Sequence, residues 1–153
     1  MHKLLKQLKQ LSAVLLFALL CSACNKAPAD TVVTPQINTQ AEATDNSAIE
    51  QAYAHKKSNI QVSGSGVVVK LLADDSQGLR HQKFLVKINP RQTLLFAHNI
   101  DLAERIPLHV GDELSFSGEY VYNPKGGIMH WTHLDPHGHH PSGWIMLHGH
   151  KYQ

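Results

Sequence analysis

With 153 residues, 42% hydrophobic and 17% charged, the chain has an ordinary globular composition and room for one modest folded domain. Its formal charge of +2 becomes −1 without the first 23 residues, which hold Lys3, Lys6 and Lys9 and no acid, so no basic face is on offer to bulk nucleic acid. Both cysteines fall within the first 24 residues, which leaves no thiol beyond them for a disulfide framework or a thiolate metal site.

Residues 1–10 are basic, residues 11–20 form an apolar run, and Leu20-Cys21-Ser22-Ala23-Cys24 closes the segment with small residues. That layout is a secretory signal. The run is about half the ~20 residues of a membrane-spanning helix. Ser22-Ala23-Cys24 resembles a bacterial lipobox, with Cys21 standing where leucine is more usual. In such signals the cysteine is diacylated and becomes the mature N-terminus. The expectation is therefore a signal over residues 1–23, a lipid on Cys24, and a membrane partner reached through that anchor. Asn25, rather than Asp, favours an outer-membrane location facing the periplasm.

Residues 24–59 read as a flexible tether, because their Ala, Thr, Gln, Asn and Ser residues offer too little apolar surface to offset ordering entropy. Within it, residues 47–54 have the pattern of a short helix capped by Asn46 or Ser47, with a thin apolar face. The folded domain is expected over residues 60–153, and it is strand-rich. Residues 62–72 form a first strand in which Gly64 and Gly66 permit a bend or bulge. Residues 73–78 are a turn cluster. Residues 81–88 alternate, with Phe84, Val86 and Ile88 on one face, as a second strand. A turn through Asn89-Pro90-Arg91-Gln92 leads to a third strand at 93–98. Residues 99–105 suit a single helical stretch capped by Asn99. The fourth strand spans 114–122, a Pro124-Lys125-Gly126-Gly127 connection follows, and the fifth spans 128–133. Residues 143–146 add a short edge.

Three strands, a helical connection and two more strands give the order of a mainly β, five-stranded OB-like barrel. The words Arg80-His81-Gln82-Lys83-Phe84, Ala97-His98-Asn99-Ile100-Asp101-Leu102-Ala103, Gly118-Glu119-Tyr120, Lys125-Gly126-Gly127 and His130-Trp131-Thr132-His133 with Asp135-Pro136 carry a resemblance. Through them the chain resembles a bacterial family of small exported proteins known only as a domain of unknown function. The resemblance covers about residues 64–153 and implies a small barrel and export, with no activity to transfer.

Eleven residues, 130–140, contain five imidazoles, an indole and a carboxylate, and His148 and His150 follow. Histidine titrates near neutrality and is the commonest metal ligand, so this density points to chemistry. Strands that alternate up and down bring Asp74-Asp75, Arg80-His81-Gln82, His98-Asn99, Gly111-Asp112 and the segment of His130, His133 and Asp135 to one rim. The mouth of a barrel is a usual place for a small site. The candidate ligand-binding residues are thus Asp74, Asp75, Arg80, His81, Gln82 and Asn99. The candidate metal ligands are His81, His98, His130, His133 and Asp135. Such a set suits Zn, Cu or Ni over Ca or Mg. Period two separates His130 and Thr132 from Trp131 and His133 unless the strand ends between them.

Plainer readings stand beside these. Trp131 and Trp144 suit packing, His109 suits an exposed loop, Asp74-Asp75 suit a turn, and Arg80 suits a salt bridge to Asp74 or Asp75. The imidazoles at 81, 98 and 130 either share a ligand or hydrogen-bond to fix loops, and those at 137, 139 and 140 suit a solvated or adventitiously chelating loop. Three functions fit the sequence. The first is an envelope-tethered binding module holding a transition metal (Zn or Cu) or a small polar ligand. The second is a phosphodiesterase-like hydrolase with a His base and Arg80 stabilising charge, and the third a pH-responsive protein-binding domain.

Overall fold

The computed structural model describes residues 45–153, so the signal sequence, Cys24 and most of the expected tether lie outside the described residues. One helix and seven strands follow in order: α1 (Ser47–Ala54), β1 (Ile60–Leu71), β2 (His81–Asn89), β3 (Gln92–Asn99), β4 (Glu113–Val121), β5 (Ile128–His130), β6 (Trp144–Leu147) and β7 (His150–Tyr152).

The first five strands close a barrel in the order β1-β2-β3-β5-β4, with β4 returning to β1. All pairings are antiparallel except β3 with β5, which is parallel. This is the closed OB-type arrangement. Closure depends on β1 serving two partners. Its first half, Ile60 to Val67, pairs with β4, and its second half, from Val67 to Leu71, pairs with β2. A shift in register between Val68 and Lys70 bends the strand at the changeover, as a bulge does.

Alternation sets the interior. Phe84 and Val86 of β2 and Leu94 and Phe96 of β3 are fully buried, and Phe96 stacks on Phe84 and meets Phe116 edge-on, with centroids 5.0 and 4.8 Å apart. The second half of the chain extends the sheet beyond the barrel. β6 pairs with Leu114–Ser117 of β4, and β7 folds back on β6 as an unforeseen last strand.

One of the two expected helices, that over residues 99–105, does not form. Past Asn99, the last residue of β3, residues 100–103 only turn and bend. Asn99 Oδ1 accepts from Asp101 N at 2.9 Å and Asn99 O accepts from Ala103 N at 3.1 Å, after which the chain runs irregularly to bury Ile106 and Leu108. The helix that forms is the one expected over residues 47–54, but it packs on the barrel rather than running free in a tether. Ile49 and Ala52 of α1 are buried in the barrel core. Asn46 does not cap it with its side chain; its Nδ2 donates to Ser65 O and Ile88 O, while its Oδ1 accepts from Ser65 N. Asp45 meets the helix start instead, accepting from Ser47 N at 2.9 Å. Burying Ile49 contributes about 1.5–3 kcal/mol, and with the Asn46 bonds this holds a helix too short to persist alone. Gly64 makes the docking possible: a Cβ there would sit 2.5 Å from Asn46 Oδ1 and 2.7 Å from Ile49.

Candidate ligand site at the histidine rim

β2 begins, and β3 and β5 end, at one end of the barrel. His81 faces Asn99 across the β2–β3 ladder, and β5 brings His130 to Glu119 of β4. Strand β5 stops at His130 because Trp131 takes a left-handed backbone with φ of 52°. A bulky residue rarely adopts that conformation, and such strain concentrates at functional sites. The break cancels the alternation expected through residue 133. Thr132 turns inward and is fully buried, Trp131 is 40% exposed, and His133 comes to the same hollow as His130.

Two adjacent hollows share Trp131 and His133. One, of about 90 Å³, is lined by Leu79, His81, Asn99 and His130 among others. The second, of about 120 Å³, adds Leu102, Leu134, Asp135 and His140. Trp131 stacks on His140 with centroids 4.1 Å apart and donates its indole N–H to Glu119 Oε1 at 3.2 Å. His133 meets His140 edge-on at 5.2 Å. Exposed Leu79, Leu102 and Leu134 give this imidazole cluster an apolar surround.

The loop behind it is built on Asp135. Its carboxylate accepts from the amides of His137 at 2.8 Å and His140 at 2.7 Å, its own amide donates to Ser142 Oγ, and Gly143 N donates to His133 O. Burial opposes ionisation of Asp135, but the His137 and His140 amides, the His140 ring and the His139 amide outweigh it and hold its carboxyl at about 2. Gly143 is obligatory, since a Cβ there would run into the Trp131 and Ser117 carbonyl oxygens.

Several expected site residues have other duties. His98 is fully buried, with Nε2 3.1 Å from Glu104 O and Nδ1 2.9 Å from Thr132 Oγ1. A carbonyl only accepts, so Nε2 carries the proton and Nδ1 accepts from the threonine; no ring nitrogen remains for a metal. Burial chiefly, with smaller contributions from His133 and His81, lowers its pKa to about 4 against the opposing bonds to Glu104 and Thr132. Gln82 is likewise withdrawn from any ligand: its Nε2 donates to Ile106 O at 2.8 Å and its Oε1 accepts from Ile106 N at 3.0 Å. Arg80 pairs with Asp101, not with Asp74 or Asp75. Its Nε lies 2.7 Å from Asp101 Oδ1 and its amide 2.8 Å from Oδ2. Asp74 pairs instead with Arg105, and Asp75 bridges His81 through backbone bonds while its carboxylate accepts from Gln77 N. Asp112 accepts from His109 N, with the exposed His109 and His148 rings nearby. Asp74, Asp75 and Asp112 line neither hollow.

His81, Asn99, His130 and His133 are the expected residues that the fold does bring together. Burial first, then the neighbouring His81, lowers the pKa of His130 against the pull of Glu119. Burial also lowers that of His133. Among the described residues, no three His, Cys, Asp or Glu side chains are disposed to hold one metal ion. The five-residue metal set is therefore not assembled as expected: His98 is saturated, and both Asp135 oxygens serve loop amides. Trp131, Leu102, Leu134 and the fixed ring of His140 are site features that sequence alone did not assign. The parity of His98 with buried Leu94 and Phe96 was a signal that it points inward.

A larger hollow of about 270 Å³ lies on the outer face of β2 and β3, lined by Leu72, Leu85, Thr93, Leu95, Asn123 and Lys125 among others. Its lining carries no imidazole and no aromatic ring, unlike that of the rim hollows.

Barrel and rim together define a small OB-type β-barrel domain with a histidine-rich, tryptophan-centred mouth. The chain belongs to the family described as "Protein of unknown function (DUF3465)", which it matches over residues 31–153. No curated protein and no solved structure matches it.

Proposed function

We propose that this protein is a binding module of the bacterial cell envelope, carried on a lipid at Cys24, whose histidine rim holds a small polar ligand. The lipobox-like sequence supports the location, and the stretch between Cys24 and α1 would hold the barrel off the membrane. The observation that carries the ligand reading is the strained Trp131, which ends β5 early and turns His130 and His133 into adjoining hollows. Volumes of about 90 and 120 Å³ match an ion or a group of a few non-hydrogen atoms, since a water's share of liquid volume is ≈30 Å³. Lowered pKa values keep His130 and His133 neutral near pH 7, so they offer lone pairs and N–H groups rather than positive charge. A phosphodiesterase reading would need a free guanidinium, and that of Arg80 is engaged by Asp101 and lines neither hollow.

The test is native mass spectrometry of the untagged full chain released from membranes. A small bound species is expected, lost in Trp131→Gly, which relieves the left-handed backbone, and in His133→Ala. A chain that carries none, or whose species survives both changes and disappears with Leu95→Glu in the β2–β3 hollow, overturns the reading.

A further inference from the structure

Within the rim, His133 and His140 stand apart from the other imidazoles. His133 Nδ1 lies 2.7 Å from Leu134 O, and His140 Nδ1 lies 2.8 Å from Pro141 O. Because a carbonyl oxygen only accepts, both Nδ1 atoms carry protons, and both Nε2 atoms are left with bare lone pairs. Tying Nδ1–H to a carbonyl is how proteins fix the tautomer and orientation of a metal-binding histidine. The two rings are also held in place from outside. His140 is clamped between the indole of Trp131 and a backbone whose amide is fixed by Asp135. His133 is 1% exposed, and its carbonyl is held by Gly143 N.

Their separation is suited to a shared ion. Two imidazoles bound at about 2.0–2.1 Å through nitrogen to one tetrahedral centre have centroids roughly 5 Å apart, and these stand 5.2 Å apart. Asp135 Oδ2 is 3.9 Å from His140 Nε2, and both its oxygens serve loop amides, so it offsets a cation's charge without being counted as a ligand. Neutral imidazole donors suit copper and zinc and not calcium or magnesium. Resting on the binding-module reading above, we infer that His133 Nε2 and His140 Nε2 are the two protein ligands of one copper or zinc ion. The remaining positions are open to water or to an incoming donor, which makes this an exchange or capture site rather than a closed structural one.

Zinc(II), and copper(I) under anaerobic conditions, are titrated into the untagged full chain against a chelator of known affinity. One equivalent of at least one of them is expected to bind, with His133→Ala and His140→Ala each weakening it roughly tenfold or more, as loss of even an outer partner does. Replacing His137, His139, His148 and His150 together by Gln should leave that equivalent in place. Nitrogen-15 NMR provides a readout independent of variant folding: the Nε2 signals of His133 and His140 shift on loading while their Nδ1 protons persist. Failure of both ions to bind, binding indifferent to both alanine variants, or loss in the fourfold Gln variant alone overturns the metal assignment. In each of those cases a bound species sensitive to Trp131→Gly would still leave the rim as a ligand site.

Discussion

His98 Nδ1 and Thr132 Oγ1 meet at 2.9 Å inside the barrel, joining the end of β3 to the residue just past the Trp131 kink. The opposite ring nitrogen holds Glu104 O at 3.1 Å, so one imidazole fastens the β3–β4 connection and the β5 exit to the same point. Gln82, the partner of His98 across the ladder, fastens that connection again at Ile106. His98, one of the candidate metal ligands, is a structural cross-brace, and its withdrawal leaves His81, His130, His133 and His140 as the imidazoles lining the rim hollows.

Replacing Thr132 with Val keeps the volume and removes the hydroxyl donor, leaving a buried lone pair on His98 unsatisfied. Such a group costs about 1–3 kcal/mol. Urea denaturation of Thr132→Val should show that loss with an unchanged slope; a neutral substitution would show that His98 is satisfied elsewhere.

Gly64→Ala places a methyl against Asn46, Ile49 and the Phe116 ring, which lies 2.9 Å from the built Cβ. Overpacking of this kind costs about 1–3 kcal/mol, and α1 is the element free to yield. Hydrogen exchange should quicken through Ile49 to Ala54 more than in β2 and β3. Equal effects throughout would place the strain in the barrel itself.

Acid should destabilise the domain in a defined window. Folding lowers the His98 pKa from 6.5 to about 4, so the folded state favours the neutral ring and the unfolded chain takes up the proton first. The contribution is complete above pH 6.5, falls away between 6.5 and 4, and is flat below. A shift of that size corresponds to roughly 3 kcal/mol at most. His130 and His133 move in the same direction, burial being the chief cause for each. Asp135 adds a separate loss below its ordinary value of 3.8, toward about 2, because its folded carboxyl is the stronger acid. Tm should be level from pH 8 to 7 and drop from 6.5 to 4, and less steeply in His98→Gln. A Tm that holds steady to pH 4 contradicts the burial of a neutral His98.

Asp135→Asn removes the charge that gathers the amides of His137 and His140. Those two amides should lose exchange protection, and the Trp131 indole signal should shift as His140 loosens beneath it. Strands β1 to β4 should be unaffected, since the loop lies outside the barrel core. Unchanged protection at both amides would mean that Gly143 and Ser142 suffice to shape the loop.

Strands β2 and β3 were legible because each carries a period-two burial pattern over six or more residues, and Phe84, Val86, Leu94 and Phe96 mark the interior without ambiguity. Turn chemistry placed the β2–β3 hairpin at Pro90-Arg91 in the same way. The helix at residues 47–54 was legible at its bounds, but its docking on the barrel was not, and the further helix expected at 99–105 does not form. The apolar face of α1 is only Ile49 and Ala52, too little to announce packing against the barrel, and its hold comes from Asn46 reaching residues 19 and 42 positions away. β7 is three residues long, with only Tyr152 buried, and shows no pattern of its own.

For the site, composition located the histidine-rich mouth, since no folding requirement explains five imidazoles in eleven residues. Where each imidazole points depends on backbone geometry that spacing does not encode. The backbone break at Trp131 reset the phase of everything after it, the Glu104 carbonyl fixed the tautomer of His98, and the carbonyls of the very next residues, Leu134 and Pro141, fixed those of His133 and His140. Side-chain type and spacing are written along the chain, but which imidazole is drawn inside and which stays at the rim depends on neighbours such as Thr132, brought to His98 only by closure of the sheet.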